Sequence, residues 1–217
     1  MEKFTKDIIE TVANAMMESF LEDPMNIAQL GGIQNPQKLL KAHSLLHTRH
    51  AAKCGSLSIL DNDPGAFMIG YDSRRENPLR EKLLMGKIIY HTIWALGIKD
   101  LRIMQANMKR HGKVLSFSWY REFIQGRHFR VKIIAIDKSL RGKGAFRRLI
   151  TPAIEFADRE QIPMVLETHN QRNVGIYEHF GFELVKTITA IETHVQQYCM
   201  IRKPGRPTTV SAPPMDK

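Results

Sequence analysis

The chain has 217 residues, 43% of them apolar and 25% charged, and 32 Lys/Arg against 22 Asp/Glu give it a formal net charge of +10. That length supports one domain with a substantial core, or at most two small ones. No apolar run approaches the ~20 residues a membrane span needs, and the opening Met1-Glu-Lys-Phe-Thr-Lys-Asp7 has no apolar signal region, so neither a span nor a secretory leader is expected.

Residues 4–21 place Phe4, Ile8, Ile9, Val12, Ala15, Met16 and Phe20 at helical spacing, and Asp23-Pro24 ends that helix. Gly31-Gly32 and Asn35-Pro36 mark a loop before a second helix over 37–53. Segments 56–60 and 66–71 read as an antiparallel pair joined by the turn residues Asp61 to Gly65. Leu79, Leu83, Leu84, Ile88, Ile89, Ile93 and Leu96 are again helical by spacing, and Gly97 and Gly112 divide 76–125 into two or three helices. A strand over 129–136, a helix over 143–159 and a strand over 164–168 follow. Pro152 is expected to kink that helix or shift its first turn. A short helix over 173–180 precedes strands over 182–191 and 195–201. The segment 204–217, rich in proline, reads as a flexible tail. The pattern is that of an α/β fold with a mixed sheet, a single domain over 1–203.

Charge is unevenly spread. Residues 1–26 hold six acidic and two basic side chains, whereas residues 74–148 hold nineteen Lys/Arg against five Asp/Glu. Such a surface suits a solvated face, a polyanionic ligand or nucleic acid, and charge does not choose among them. Cys54 and Cys199, with no CxxC, give neither a disulfide framework nor a cysteine zinc site, and a reducing cytoplasm is the expected setting.

The most informative stretch begins with the apolar strand at Val131, which runs into Arg141-Gly142-Lys143-Gly144-Ala145-Phe146 and then directly into a helix. Two glycines remove Cβ atoms where a backbone must approach a ligand closely, and the helix start adds free N–H groups and positive polarity. This is the arrangement of a phosphate site. Lys143, Arg147 and Arg148 supply charge beside it. A second motif follows: Glu167-Thr-His169-Asn170-Gln-Arg-Asn173-Val-Gly-Ile-Tyr177-Glu-His-Phe-Gly181-Phe182.

Together the two motifs resemble the acyl-coenzyme A site of the GCN5-related N-acetyltransferase (GNAT) superfamily, in a branch similar to puromycin acetyltransferase-like proteins. The turn matches Arg/Gln-x-x-Gly-x-Gly/Ala in its first four positions, with Phe146 where a small residue is usual. Asn170, Tyr177 and Gly181-Phe182 keep the spacing of the second motif, with Asn173 in place of alanine. The resemblance implies a GNAT-like mixed, mostly antiparallel central sheet flanked by helices, with a helical insertion over 76–125 and an acetyl-CoA core over 128–190. It also implies a strand at 131–136 that splays from the strand at 164–168 and binds the pantetheine arm.

On that resemblance, Ile134, Ala135, Ile136, Arg141, Gly142, Lys143, Gly144, Ala145, Phe146, Asn170 and Asn173 bind acetyl-CoA. Tyr177 protonates the leaving thiolate, and Glu167 is the first choice of base, ahead of His169, His128 or water alone. The implied partners are acetyl-CoA and a primary amine, transfer being direct, without an acyl-enzyme. A homodimer fits the family. Membrane and metal are not expected, and nucleic acid is not the favoured partner. The alternatives are a basic nucleic-acid- or partner-binding module without turnover, or an acyltransferase for a longer acyl-CoA. His43, His47 and His50 share a helix face and read as a polar stripe that borders an acceptor pocket rather than as a metal trio. Trp94 and Trp119 either wall such a pocket or simply pack.

Overall fold

The computed structural model describes residues 4–61 and 63–206, and most of its helices start where a polar side chain caps them. Thr5 accepts from the Ile8 N–H ahead of α1 (Lys6–Leu21), and Asp23 accepts from Met25 and Asn26 ahead of α2 (Pro24–Leu30). Asn35 and Asn77 do the same for α3 (Pro36–Cys54) and, after β1 (Leu57–Leu60) and β2 (Asp63–Asp72), for α4 (Pro78–Ala95). The helix α2 is absent from the sequence reading. Pro24 ends α1 because the residue before a proline avoids the helical region, and with Asp23 as cap it also opens α2.

After α4 come α5 (Ile98–His111), β3 (Phe129–Ile136), α6 (Ala145–Arg159), β4 (Met164–Thr168), α7 (Gln171–His179), β5 (Glu183–Ala190) and β6 (Thr193–Arg202). The expected strands and helices are present, with ends shifted by a few residues. Pro152 lies within α6, which continues past it as one helix.

The sheet order is β1-β2-β3-β4-β6-β5. Every neighbouring pair is antiparallel except β3–β4, which is parallel and joined only at Phe129↔Met164 and Arg130↔Val165. Beyond those pairs the two strands part, so one edge of each turns toward a gap. One face of the sheet carries the largest core cluster, with Leu149, Ile150 and Ile154 of α6 packed on Met68, Val131 and Leu166. The other face is covered by α1 (Val12, Met16 on Phe67, Ile69) and, farther along, by Trp119 and Tyr120 on Val165 and Cys199.

A β-bulge separates the two halves of β3. Ile69 pairs with Ile133 and Gly70 with Val131, leaving Lys132 as the extra residue. Side-chain parity changes there: Phe129 and Val131 face α6, and so do Ile134 and Ile136, while Ile133 and Ala135 face α1. Gly70 is needed opposite, since an added Cβ would come within 2.9 Å of the Phe129 ring.

The far end of β6 is anchored by Arg202, whose guanidinium donates to both Asp158 oxygens at 2.6 and 2.9 Å. Residues 204–206, expected in a flexible tail, are instead held there. Gly205 N–H donates to Asp158, and Arg206 pairs with Glu183. The rest of that expected tail, 207–217, lies outside the described residues.

Candidate active site

The glycine turn follows the end of β3 that is not paired to β4. Gly142 and Gly144 both have φ of 73°, where a side chain is strained and glycine is not, and a Cβ at either would meet open space. Gly144 is the N-cap of α6, and the first helical bond runs from Arg148 N–H to the Gly144 carbonyl. The amides of Ala145, Phe146 and Arg147 therefore precede the first bonded N–H and point outward at the positive end of a 15-residue helix. Donors clustered on open space suit a pyrophosphate.

The residues of the turn divide in their commitments. Arg141 donates to the Ile136 carbonyl at 3.2 Å and lies 3.5 Å from Glu22 at the end of α1. Glu22 also pairs with Lys138, which holds its carboxyl below the usual carboxylate range. Arg147 is bound to His179 at 2.8 Å and stacks on Phe180, tying α6 to α7, and Arg148 reaches Asp61. Among the described residues the exposed Lys143 side chain of the turn has no protein partner and is left to face a ligand. Phe146 does not obstruct the turn: its ring packs 5.0 Å from Phe180 and 5.8 Å from Tyr177, at the edge of the core.

Along the gap, Ile134, Ala135 and Ile136 pair with β2 as their only strand neighbour, and the Ile136 carbonyl is also taken by Arg141. Across it, Asn170 caps α7, its side-chain oxygen accepting from Arg172 N–H at 3.1 Å. The Asn173 amide donates to the Thr168 hydroxyl at 3.2 Å and so fixes the strand–helix corner. Tyr177, one helical step further, is 6% exposed and packed against Phe146 and Phe182. Burial, assisted by the negative charge of Glu167, pushes its phenol above the ordinary value.

Glu167 occupies the opposite face of β4 from Leu166, and both its oxygens accept donors. Arg130 Nη2 lies at 2.8 Å and the Trp119 indole nitrogen at 3.0 Å. Two of its roughly four acceptor positions remain for a water or a substrate. His169 sits just beyond, with Nδ1 3.9 Å from Asp23; burial lowers its pKa, a shift that Asp23, Glu167 and Gln197 partly oppose. His128 lies at the opposite, paired end of β3, where its Nδ1–H donates to the Gly126 carbonyl, well away from the gap.

Both cysteines are free thiols. Cys199 is directly across from Glu167 in the β4–β6 register, but burial pushes its thiol up to about 11, so it stays protonated. A cleft on the same sheet face lies between α3, α4 and β2–β3, lined by His47, His50, Cys54, Tyr71, Glu81 and Lys132. Lys132, aimed there by the bulge, donates to Glu81 at 2.8 Å, and Glu81 also meets His50 at 3.3 Å. His47 belongs to this cleft, whereas His43 turns to Thr92 of α4. Burial, with a smaller contribution from His91 at His43 and from Lys132 at His47, holds both rings near pKa 4. Among the described residues no group of three potential ligands could hold a metal. Arg130, Lys132, Glu81 and the indole of Trp119 were missed as site residues by the sequence; only Trp119 carried a hint there, as a candidate pocket wall.

A sequence profile of the acetyltransferase (GNAT) family matches residues 61–182, more than half of the chain. The chain belongs to the GNAT acetyltransferase family. An uncharacterized N-acetyltransferase of Schizosaccharomyces pombe is 37% identical over 73 residues, which span 33% of this chain and 30% of that protein. Among solved structures, histone acetyltransferase HPA2 and related acetyltransferase from Corynebacterium glutamicum superposes with a TM-score of 0.59 at 16% identity, covering 95% of this chain and 97% of the other. Arylalkylamine N-acetyltransferase 2 from Aedes aegypti gives 0.58 at 16% identity, covering 93% and 97%. At such identities these two structures share the GNAT fold with this chain.

Proposed function

We propose that this protein transfers an acetyl group from acetyl-CoA directly to a primary amine. The observation that carries the reading is the parting of β3 from β4 after Arg130↔Val165, with the glycine turn following the free end of β3 and the Tyr177 helix following the free end of β4. Backbone groups freed along that gap need partners, and the amides of a pantetheine arm supply them. The pyrophosphate then meets the α6 amides and Lys143. The thioester carbonyl lies between Tyr177 on one face and Glu167 on the other. The acceptor enters from the cleft beside Glu81 and Lys132, on the face that Glu167 shares.

In this reading the neutral amine attacks the thioester carbonyl carbon, its proton passing through water to Glu167 with His169 as the nearest alternative. The C–S bond breaks as the intermediate collapses, and the phenol of Tyr177 gives its proton to the thiolate. The raised thiol pKa of Cys199 supports transfer without an acyl-enzyme, because the thiol rather than the thiolate stands there at neutral pH.

Calorimetry with acetyl-CoA tests the donor side. The wild type is expected to bind in the micromolar range, and Gly144→Glu, which puts a carboxylate before the amides, to lose most of that affinity while keeping the wild-type circular dichroism. No binding by the wild type would sink the proposal. An amine panel followed by thiol release then tests turnover.

A further inference from the structure

The outward surface of α4 has no counterpart in the acyl-transfer reading. Its inward residues, Glu81, Leu84, Ile88, Thr92 and Ala95, recur at steps of three and four and face α3. Leu79, Leu83, Tyr90 and Trp94 recur at the same steps on the opposite side, with Ile89 and Ile93 beside them, and every one is more than half exposed. Trp94, at 75%, is the most exposed of these. Six such side chains amount to on the order of 600 Å², the upper end of what the largest apolar patch on a monomer reaches. A helix apolar on both sides is normally buried on both.

Charge identifies what covers it. The helix has one acid, Glu81, and that side chain is turned inward onto Lys132 and His50. The ionised side chains at its surface, Arg80, Lys82 and Lys87, are all cations. Over residues 74–113, ten Lys/Arg stand against three Asp/Glu. A second copy of this chain would bring the same cations against its own, with no acid on α4 to neutralise them. An anionic lipid surface meets both requirements, taking the apolar strip into its headgroup boundary and the lysines onto its phosphates. Trp94 and Tyr90, 6.0 Å apart, are the residue types that settle at that boundary.

We propose that α4 docks this protein on the surface of an anionic bilayer, lying along it with its inner face still on α3. Among the described residues no helix is long and apolar enough to cross a membrane, so the contact is superficial. The inference departs from the expectation of no membrane partner and does not depend on acyl transfer.

Co-sedimentation with vesicles of equimolar phosphatidylglycerol and phosphatidylcholine, against pure phosphatidylcholine, tests it. Binding is expected to the anionic vesicles, with a blue shift of tryptophan emission that Trp94→Phe abolishes. Leu83→Glu with Trp94→Glu should remove binding. Lys82→Glu with Lys87→Glu, at exposed positions that leave folding intact, should lower it on the order of tenfold, as should high salt. No binding to the anionic vesicles overturns the proposal, and so does equal binding to both compositions. A dimer in light scattering that Leu83→Glu breaks, with no vesicle binding, would assign the strip to a second copy instead.

Discussion

Tyr177 must be a phenol when coenzyme A departs, since a phenolate has no proton to give. Its burial keeps it protonated well beyond neutral pH, so its ionisation should not limit the rate anywhere in the physiological range. Tyr177→Phe keeps the ring contacts with Phe146 and Phe182 and removes only the hydroxyl. Thiol release should then fall on the order of a hundredfold with coenzyme affinity unchanged. A variant that releases thiol at the wild-type rate would take the acid role from Tyr177. The glycines of the turn and the spacing to Tyr177 could be read from the sequence, because turn geometry and helical spacing are local. The setting of Glu167 could not. Its partners Arg130 and Trp119 lie 37 and 48 residues away and meet it only once the sheet and the insertion have folded. Lys132 was hidden differently: a run of β-branched residues on both sides of a bulge gives no sign of where parity changes.

Among the elements, the packing of α3 on α4 sets an acid limit on stability. His43 and His47 have pKa values near 4 in the fold, against 6.5 when unfolded. As pH falls below 6.5 the unfolded chain takes up protons that the folded chain refuses, so stability drops between about pH 6.5 and 4. The groups facing these rings are His91, His50, Lys132 and Glu81, of which only Glu81 favours protonation, and it is already paired. At 1.36 kcal/mol per pKa unit, discounted for partial exposure, each histidine should cost roughly 1–2 kcal/mol between pH 7 and 5. The carboxylates Asp72, Asp158 and Glu81 have lowered pKa values, so the stability they contribute is intact above their unfolded-state values and is lost only from the acid end of this window downward. Urea midpoints at pH 7 and 5 check it. His47→Gln should remove about half of the fall, and an equal fall in the variant would place its origin elsewhere. The three histidines were visible as one helix face. That two of them are held neutral was not, because this depends on α4 closing over them.

For the whole molecule, the uneven charge and the splayed sheet make one joint prediction. The phosphates of the donor are expected at the α6 terminus, within the basic stretch 74–148, whose nineteen cations outnumber its acids by fourteen. Binding energy at that junction is folding energy, because the unfolded chain has neither the gap nor the helix terminus. Acetyl-CoA at a hundred times its dissociation constant should therefore add about 2.7 kcal/mol to stability. In a chain of this length each kcal/mol moves the thermal midpoint by about 2–4 °C, so a rise of roughly 5–10 °C is expected. Part of it should come from adenosine 3′,5′-bisphosphate alone, which carries the ribose phosphate but not the thioester. Salt near 0.5 M should shrink the shift from both ligands, since the Debye length falls to a few ångströms. A shift that is full-sized and insensitive to salt would mean that the apolar gap, rather than the basic turn, holds the donor. No shift at all with acetyl-CoA would leave the gap without its proposed occupant.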